Sequence, residues 1–242
     1  MILCIDSGNT RLKWGLRDGD VWLVLGAVAH AQAGALQLPH APVRIVACNV
    51  AGAGGRAAVE GLARRLGLAV EWVRSQAARC DVVNRYEAPE QLGADRWAAL
   101  IGARGLHAGP CVVVMCGTAT TIDVLDADGV FQGGLILPGI DMMRAALADG
   151  TADLPVARGE VRDLPRNTFD AIASGAVDAT TGAIERMARR VAGAVPRDTA
   201  PHNFLCLLSG GAAGVIAPRL TLPHRVIDNL VLEGVARIAA AL

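Results

Sequence analysis

Apolar positions along the chain fall in short runs separated by turn signals and by stretches with helical spacing. Residues 2–6 form an apolar run that ends in an acid. Residues 11–17 continue as a strand, Asp18-Gly19-Asp20 is a turn, and Val21 to Val28 is a third strand. Val43 to Cys48 reads as a buried strand. Arg56 to Leu66 places Val59, Leu62, Ala63 and Leu66 on one helical face, with Gly67 as a stop. Ala69 to Val73 is a short strand, and Glu87 to Gly105 contains a helix starting after Pro89. The pattern then restarts. Cys111 to Met115, residues 119–125 and Val130 to Leu137 are three successive strands, with Asp126-Ala127-Asp128-Gly129 as a turn. Helices follow near 139–149 and 167–194, then a strand from Asn203 to Leu208, a short strand at Val226-Ile227, and a helix over 229–241. Leu230, Val231, Gly234, Ile238 and Leu242 form the inner face of that last helix.

This layout reads as two copies of one plan, dividing the chain into 1–108 and 109–242. Each copy has three strands in a row followed by alternating helices and strands. Such a meander with β/α crossovers gives an α/β fold in which a mixed sheet is flanked by helices. With Gly8 placed over Gly117, Asp6-Ser7-Gly8-Asn9-Thr10 aligns with Met115-Cys116-Gly117-Thr118-Ala119.

Composition narrows the class. The 242 residues suffice for two domains of roughly 100–150 residues. Aromatic residues are scarce, so the core must be aliphatic. Lys+Arg and Asp+Glu both number 23, which argues against a nucleic-acid footprint. Six cysteines without a C-x-x-C pair, most of them in apolar runs, fit a reducing compartment rather than a disulfide framework. No signal peptide or membrane span is read, so a soluble cytoplasmic protein is expected.

Five segments carry candidate chemistry. In Asp6-Ser7-Gly8-Asn9-Thr10-Arg11-Leu12-Lys13, successive N–H groups and small polar side chains around a glycine can cradle phosphate oxygens. Asp6 could hold Mg²⁺, and Lys13, the only lysine in the chain, could neutralise phosphate charge. A hairpin with a solvated loop is the plainer reading. Gly117-Thr118-Ala119-Thr120-Thr121 stands at the equivalent turn, and it is either a second phosphate loop or a Thr-rich strand. Two such turns facing each other would clamp a polyphosphate. In Tyr86 to Trp97, Asp95 could accept a proton from an attacking hydroxyl and Arg96 could bind a carboxylate. The same pair on a helix surface would contribute only about 0–1 kcal/mol. Ser209-Gly210-Gly211 leaves room for a nucleoside or caps a helix. Asn167-Thr168 either caps the long helix or contacts a substrate. There is no Walker loop, no G-x-G-x-x-G after a strand, no histidine zinc pattern and no G-x-S-x-G.

Taken in order, Asp6 to Thr10 with Lys13, Tyr86 with Gly93 to Arg96, Gly117 to Thr121, Asn167-Thr168 and Ser209 to Gly211 resemble the motifs of type III pantothenate kinases, a family that includes proteins described as Bvg accessory factors. The resemblance implies an actin-like ATPase fold of duplicated ribonuclease-H-like domains. It implies a homodimer with substrate pockets at the subunit interface, and ATP-dependent phosphorylation of pantothenate, the first step toward coenzyme A. By position it implies that Asp6, Ser7, Gly8, Asn9, Thr10, Arg11, Leu12, Lys13 and Thr118 bind ATP with Mg²⁺. Tyr86, Gly93, Ala94, Asp95, Arg96 and Thr168 contact pantothenate, and Asp95 is the general base. Many members carry an Asp two residues before the second-turn glycine, where it binds a monovalent cation such as K⁺ or NH₄⁺. Here that residue is Met115, a poor ligand for a hard cation, so the usual K⁺ mode is not expected. Two alternatives stand beside this reading. One is a non-catalytic transcription accessory factor on the same fold. The other is a kinase of the same superfamily with a different small-molecule substrate.

Overall fold

The computed structural model describes residues 1–155, 158–193 and 203–241, so the expectations for residues 194 and 242 lie outside it. The chain forms two compact units. The first comprises Met1–Ala108, Gly129–Gln132 and Asn229–Leu242, and the second comprises Gly109–Asp128 and Gly133–Asp228.

In the first unit, β1 (Ile2–Ser7), β2 (Leu12–Asp18) and β3 (Val21–Val28) form an antiparallel meander. β4 (Arg44–Asn49) joins β1 in parallel, and β5 (Val70–Trp72) joins β4, giving the order β3-β2-β1-β4-β5. Parallel neighbours need a crossover, which α1 (Gly52–Leu66) supplies. It ends at Gly67, whose φ of +68° lets its N–H close on Ala63 O and Arg64 O. Alternate residues of the sheet, including Leu3, Ile5, Leu12, Trp14, Leu16 and Ile45, pack with Val59 and Leu62 of α1.

α1 begins four residues before the sequence pattern indicated. Its glycine-rich first turn reads as loop, yet Gly55 lies directly against the side chains of Ser7 and Asn49. Two short strands, β6 (Ala78–Arg79) and β7 (Val82–Asn84), were not read from the sequence. They form a hairpin turning on Cys80 and Asp81, with φ of +50° and +61°.

The helix α2 (Ala94–Leu106) meets α6 (Leu230–Ala240) at backbone distance. A Cβ on Gly102 would stand 2.6 Å from Leu230 O, and one on Gly234 would run into the Ala98 carbonyl. Thus α6, placed with the second half on the sequence, belongs to the first unit. Its Glu233 accepts from Trp22 Nε1 at 2.7 Å and from Arg17 Nη1 at 3.1 Å. The β6–β7 hairpin holds its other end, with Arg79 Nη2 donating to Ile238 O at 3.2 Å and Asp81 pairing with Arg237 at 2.7 Å.

The second unit repeats the plan. β8 (Cys111–Cys116) pairs antiparallel with β9 (Ala119–Leu125), and β10 (Val130–Pro138) is the next neighbour. β11 (Leu205–Ser209) and β12 (His224–Val226) extend the sheet in parallel on the other side. The order β10-β9-β8-β11-β12 matches that of the first unit strand for strand, as expected of duplicated ribonuclease-H-like domains. α3 (Ile140–Gly150) packs on α4 (Thr168–Gly193), and the short α5 (Ala213–Ile216) follows β11. Val112, Val114, Ile122 and Leu208 of the sheet pack with Val177 and Ile184 of α4. All six cysteines are free thiols. Among the described residues no helix is long and apolar enough to cross a membrane.

Candidate active site

The C-terminal end of β1 brings the first loop together. Asp6 is opposite Lys13 on β2 and opposite Cys48 on β4. Its carboxylate accepts from Cys48 Sγ at 3.5 Å. Burial pushes its pKa up to about 6. The charges of Lys13 and Asp95 act on it in opposite directions, Lys13 lowering and Asp95 raising it, and the Cys48 thiol also lowers it. Asp6, Lys13 and Asp95 therefore share one electrostatic neighbourhood, although Asp95 is 89 positions further along the chain.

Ser7 is buried and its hydroxyl lies 3.3 Å from His30 Nε2. Asn9, Thr10 and Arg11 are exposed, and Gly8 has only Arg11 O near the place a Cβ would occupy. Leu12 is different, because its side chain lies in the core. Asn9 and His30 also border a cavity of about 410 Å³ with Ala51, Gly54 and Gly55.

The second cluster sits at the start of α2. Gly93 is the residue before the helix, and a Cβ there would stand 2.7 Å from Asp95 Oδ1. The same oxygen accepts from Arg96 N at 2.8 Å. Glycine at 93 thus makes room for the Asp95 rotamer, and Ala94 occupies the first helical position. Arg96 is buried and donates from Nη1 to Tyr86 Oη at 2.9 Å. Its guanidinium carbon lies 5.5 Å from the Tyr86 ring and 5.9 Å from the Phe131 ring. The two rings are 5.3 Å apart. Asn84 accepts from Tyr86 N at 3.0 Å and donates to Pro89 O at 3.0 Å. Phe131, Asn84, His30 and Cys48 were not singled out in the sequence. Only Asn84 left a signal there, as an Asx residue two before Tyr86 at the end of an apolar pair.

The second unit holds the other three segments. At the β8–β9 turn, Gly117 N donates to Ala119 O at 3.1 Å, and Thr118 O accepts from Gly139 N at 2.9 Å. Gly210, at φ +103°, lies against the Cys116 carbonyl, which also accepts from Ala212 N at 3.1 Å. The Ser209-Gly210-Gly211 segment therefore adjoins the second loop. The hydroxyls of Thr120 and Thr121 are buried without a hydrogen-bond partner. Asn167 Oδ1 accepts from Asp170 N at 2.9 Å, which is the capping role. Thr168 lines a largely apolar cavity of about 910 Å³ with Met143, Leu147, Arg166 and Ile172.

Known proteins resemble this chain in sequence and in fold. Residues 2–190 match the family model described as type III pantothenate kinase. A type III pantothenate kinase of Aromatoleum aromaticum is 52% identical, covering 99% of this chain and 98% of its own. One from Dechloromonas aromatica is 50% identical, with 99% of each chain covered. Among solved structures, a Baf-family protein of Campylobacter jejuni described as a transcriptional activator matches with a TM-score of 0.64 at 20% identity, over 99% and 98% of the two chains. A 2-dehydro-3-deoxygalactonokinase of Sinorhizobium meliloti matches with a TM-score of 0.63 at 16% identity, over 100% and 99%. These two share the fold alone. With most of its length matched by the family model and half its residues identical to full-length members, this chain belongs to the type III pantothenate kinase family.

Proposed function

We propose that this pantothenate kinase uses Asp95 as general base and the first loop as its phosphate cradle, in the ATP-dependent first step toward coenzyme A. The terminal hydroxyl of pantothenate attacks the γ-phosphorus of ATP. Its proton passes to Asp95, the bond from the γ-phosphorus to the β,γ-bridging oxygen breaks, and ADP leaves. Phosphoryl transfer needs positioning and charge neutralisation more than covalent help. In this reading residues 6–13 and Thr118 bind ATP. Tyr86, Gly93, Ala94, Asp95, Arg96 and Thr168 bind pantothenate, with Arg96 on its carboxylate. The observation that carries the reading is the placement of Asp95. Gly93 and the Arg96 N–H fix its rotamer, and its charge reaches Asp6 beside the phosphate loop.

Asp6 suits Mg²⁺. It is a hard oxygen donor whose burial disfavours its charge, which a cation restores. Among the described residues no cluster of three or more metal-ligating side chains exists, and Mg²⁺ needs none when substrate phosphates and waters complete its shell. Bound there, Mg²⁺ would supply charge neutralisation to the phosphates. The second unit offers no matching carboxylate, because Met115 stands between Thr121 and Ser209 in the sheet. Those residues do not fit the K⁺ mode, and turnover independent of the monovalent cation follows.

A homodimer is supported by the exposed apolar side chains Met142, Leu147, Leu164 and Phe169 of the second unit, near the cavity that Thr168 lines. A cytoplasmic setting is supported by six free thiols, and the balanced charge speaks against a nucleic-acid partner.

The test is ADP release with ATP, Mg²⁺ and pantothenate, with Na⁺, K⁺ or NH₄⁺ as the only monovalent cation. Asp95→Asn should lower kcat by about 10²–10⁴-fold with an unchanged melting temperature. Full activity in that variant would remove Asp95 from the role of base. No turnover by folded wild-type protein would turn the reading toward an accessory factor or another substrate.

A further inference from the structure

We propose that Phe131 and Asn84 are positioning residues that hold Tyr86 and Arg96 in the geometry that receives the substrate carboxylate. The inference rests on the reading of Arg96 as the carboxylate's partner.

The two residues lie opposite each other where β7 pairs in parallel with the start of β10, Phe131 against Asn84. Both are buried, as is Arg96. Asn84 uses its carbonyl on Tyr86 N and its amide on Pro89 O, so it fixes both ends of the segment that carries Tyr86. Phe131 then backs the Tyr86 ring at 5.3 Å and stands 5.9 Å from the Arg96 guanidinium carbon. The phenol of Tyr86 takes one N–H of that guanidinium at 2.9 Å. The arginine thus has two aromatic rings within reach and one edge tied to a phenol.

This matters for recognition. A flexible arginine must lose its freedom when it binds a carboxylate in a two-pronged fashion, whereas one already held by its neighbours does not. Aromatic faces attract the cation and favour one placement of the guanidinium. The contacts of Phe131 and Asn84 run to Tyr86, Pro89 and Arg96. Their influence should therefore appear in the affinity for the acid substrate and spare the nucleotide.

The experiment uses Phe131→Leu, Phe131→Met and Asn84→Ala in the full chain. Each should raise KM for pantothenate about tenfold, with KM for ATP within about twofold of wild type. In an Arg96→Lys background, adding Phe131→Leu should raise KM for pantothenate much less than it does alone, because coupled residues are not additive. Tyr86 is the only tyrosine, so a ¹³C-tyrosine label gives one ring signal that reports its environment directly. That signal should move in ligand-free Asn84→Ala, a substitution that removes no aromatic ring.

Unchanged KM for pantothenate in the folded variants, or KM rising equally for both substrates, would overturn the proposal. So would full additivity with Arg96→Lys. If wild-type protein does not phosphorylate pantothenate but the Tyr86 signal still moves in Asn84→Ala, the positioning stands and the substrate reading falls. If turnover is normal and the Tyr86 signal stays at its wild-type position in Asn84→Ala, the positioning falls alone.

Discussion

The two units end their first strands on different chemistry. β1 finishes with Asp6 beside Lys13 and Cys48, and β8 has Met115 at the matching place beside Thr121 and Ser209. Strand order is the same in both, and β1 and β8 each pair antiparallel with the next strand and in parallel on the other side. The fold therefore accepts a neutral residue at this position, and nothing in the sheet requires an acid. A buried carboxylate with its pKa pushed up to about 6 costs stability wherever it is ionised. Asp6 thus carries a cost to the fold, which its proposed role in holding a cation would offset.

The largest expected effect breaks that asymmetry. Asp6→Asn should lower kcat about 10²–10³-fold by removing electrostatic stabilisation. The same variant should unfold later at pH 8, measured without nucleotide or Mg²⁺. The sign follows from the two pKa values, about 6 folded and ~3.9 unfolded. Between them the folded state binds the extra proton, so wild-type stability falls as pH rises through that window. Above it the full difference of about 3 kcal/mol separates wild type from Asp6→Asn, and below pH ~4 it vanishes. Equal melting curves at both pH values would mean that Asp6 is not desolvated.

Next in size is a test of the first unit alone. Gly234→Ala places a methyl group against the Ala98 backbone, which cannot rotate aside. A loss of about 3 kcal/mol is expected, at the upper end of overpacking costs. All four tryptophans, at 14, 22, 72 and 97, lie in this unit, so urea unfolding followed by tryptophan fluorescence reports it directly.

Met115→Asp sharpens the comparison from the other side. It restores the duplicated acid and should make turnover respond to K⁺ over Na⁺, while wild type remains indifferent. A variant that stays indifferent would show that one carboxylate does not create the cation site.

The smallest effect contrasts two hydroxyls within the second unit. Thr120 has no partner, whereas Thr180 donates to Ala176 O at 2.9 Å. Thr120→Val should stabilise by about 1 kcal/mol and Thr180→Val should cost about the same. A rise in KM for ATP in Thr120→Val would instead assign that hydroxyl to the nucleotide.

The sheet strands and long helices were legible because apolar runs and helical spacing are local. The β1–β2 turn was visible for the same reason, since its chemistry is contiguous from Asp6 to Lys13. The β6–β7 hairpin was hidden because Cys80 and Asp81 adopt left-handed backbone angles normally left to glycine or asparagine. The electrostatic influence of Asp95 on Asp6 depends on tertiary packing across many residues, and no spacing rule encodes it. Phe131 was read only as part of a strand. Its role comes from the partner across the sheet, which a linear pattern does not contain. The last helix had a correct inner face over 230–238 and an unknown destination, because periodicity shows that a face is buried but not against what.

That destination has a consequence for how the protein is made. The sheet of the first unit is complete by residue 72, yet one of its covering helices is α6, from Leu230 to Ala240. At synthesis rates of about 5–20 residues per second, the ribosome needs many further seconds to deliver that helix. Until then the apolar surface that will meet α6 waits uncovered.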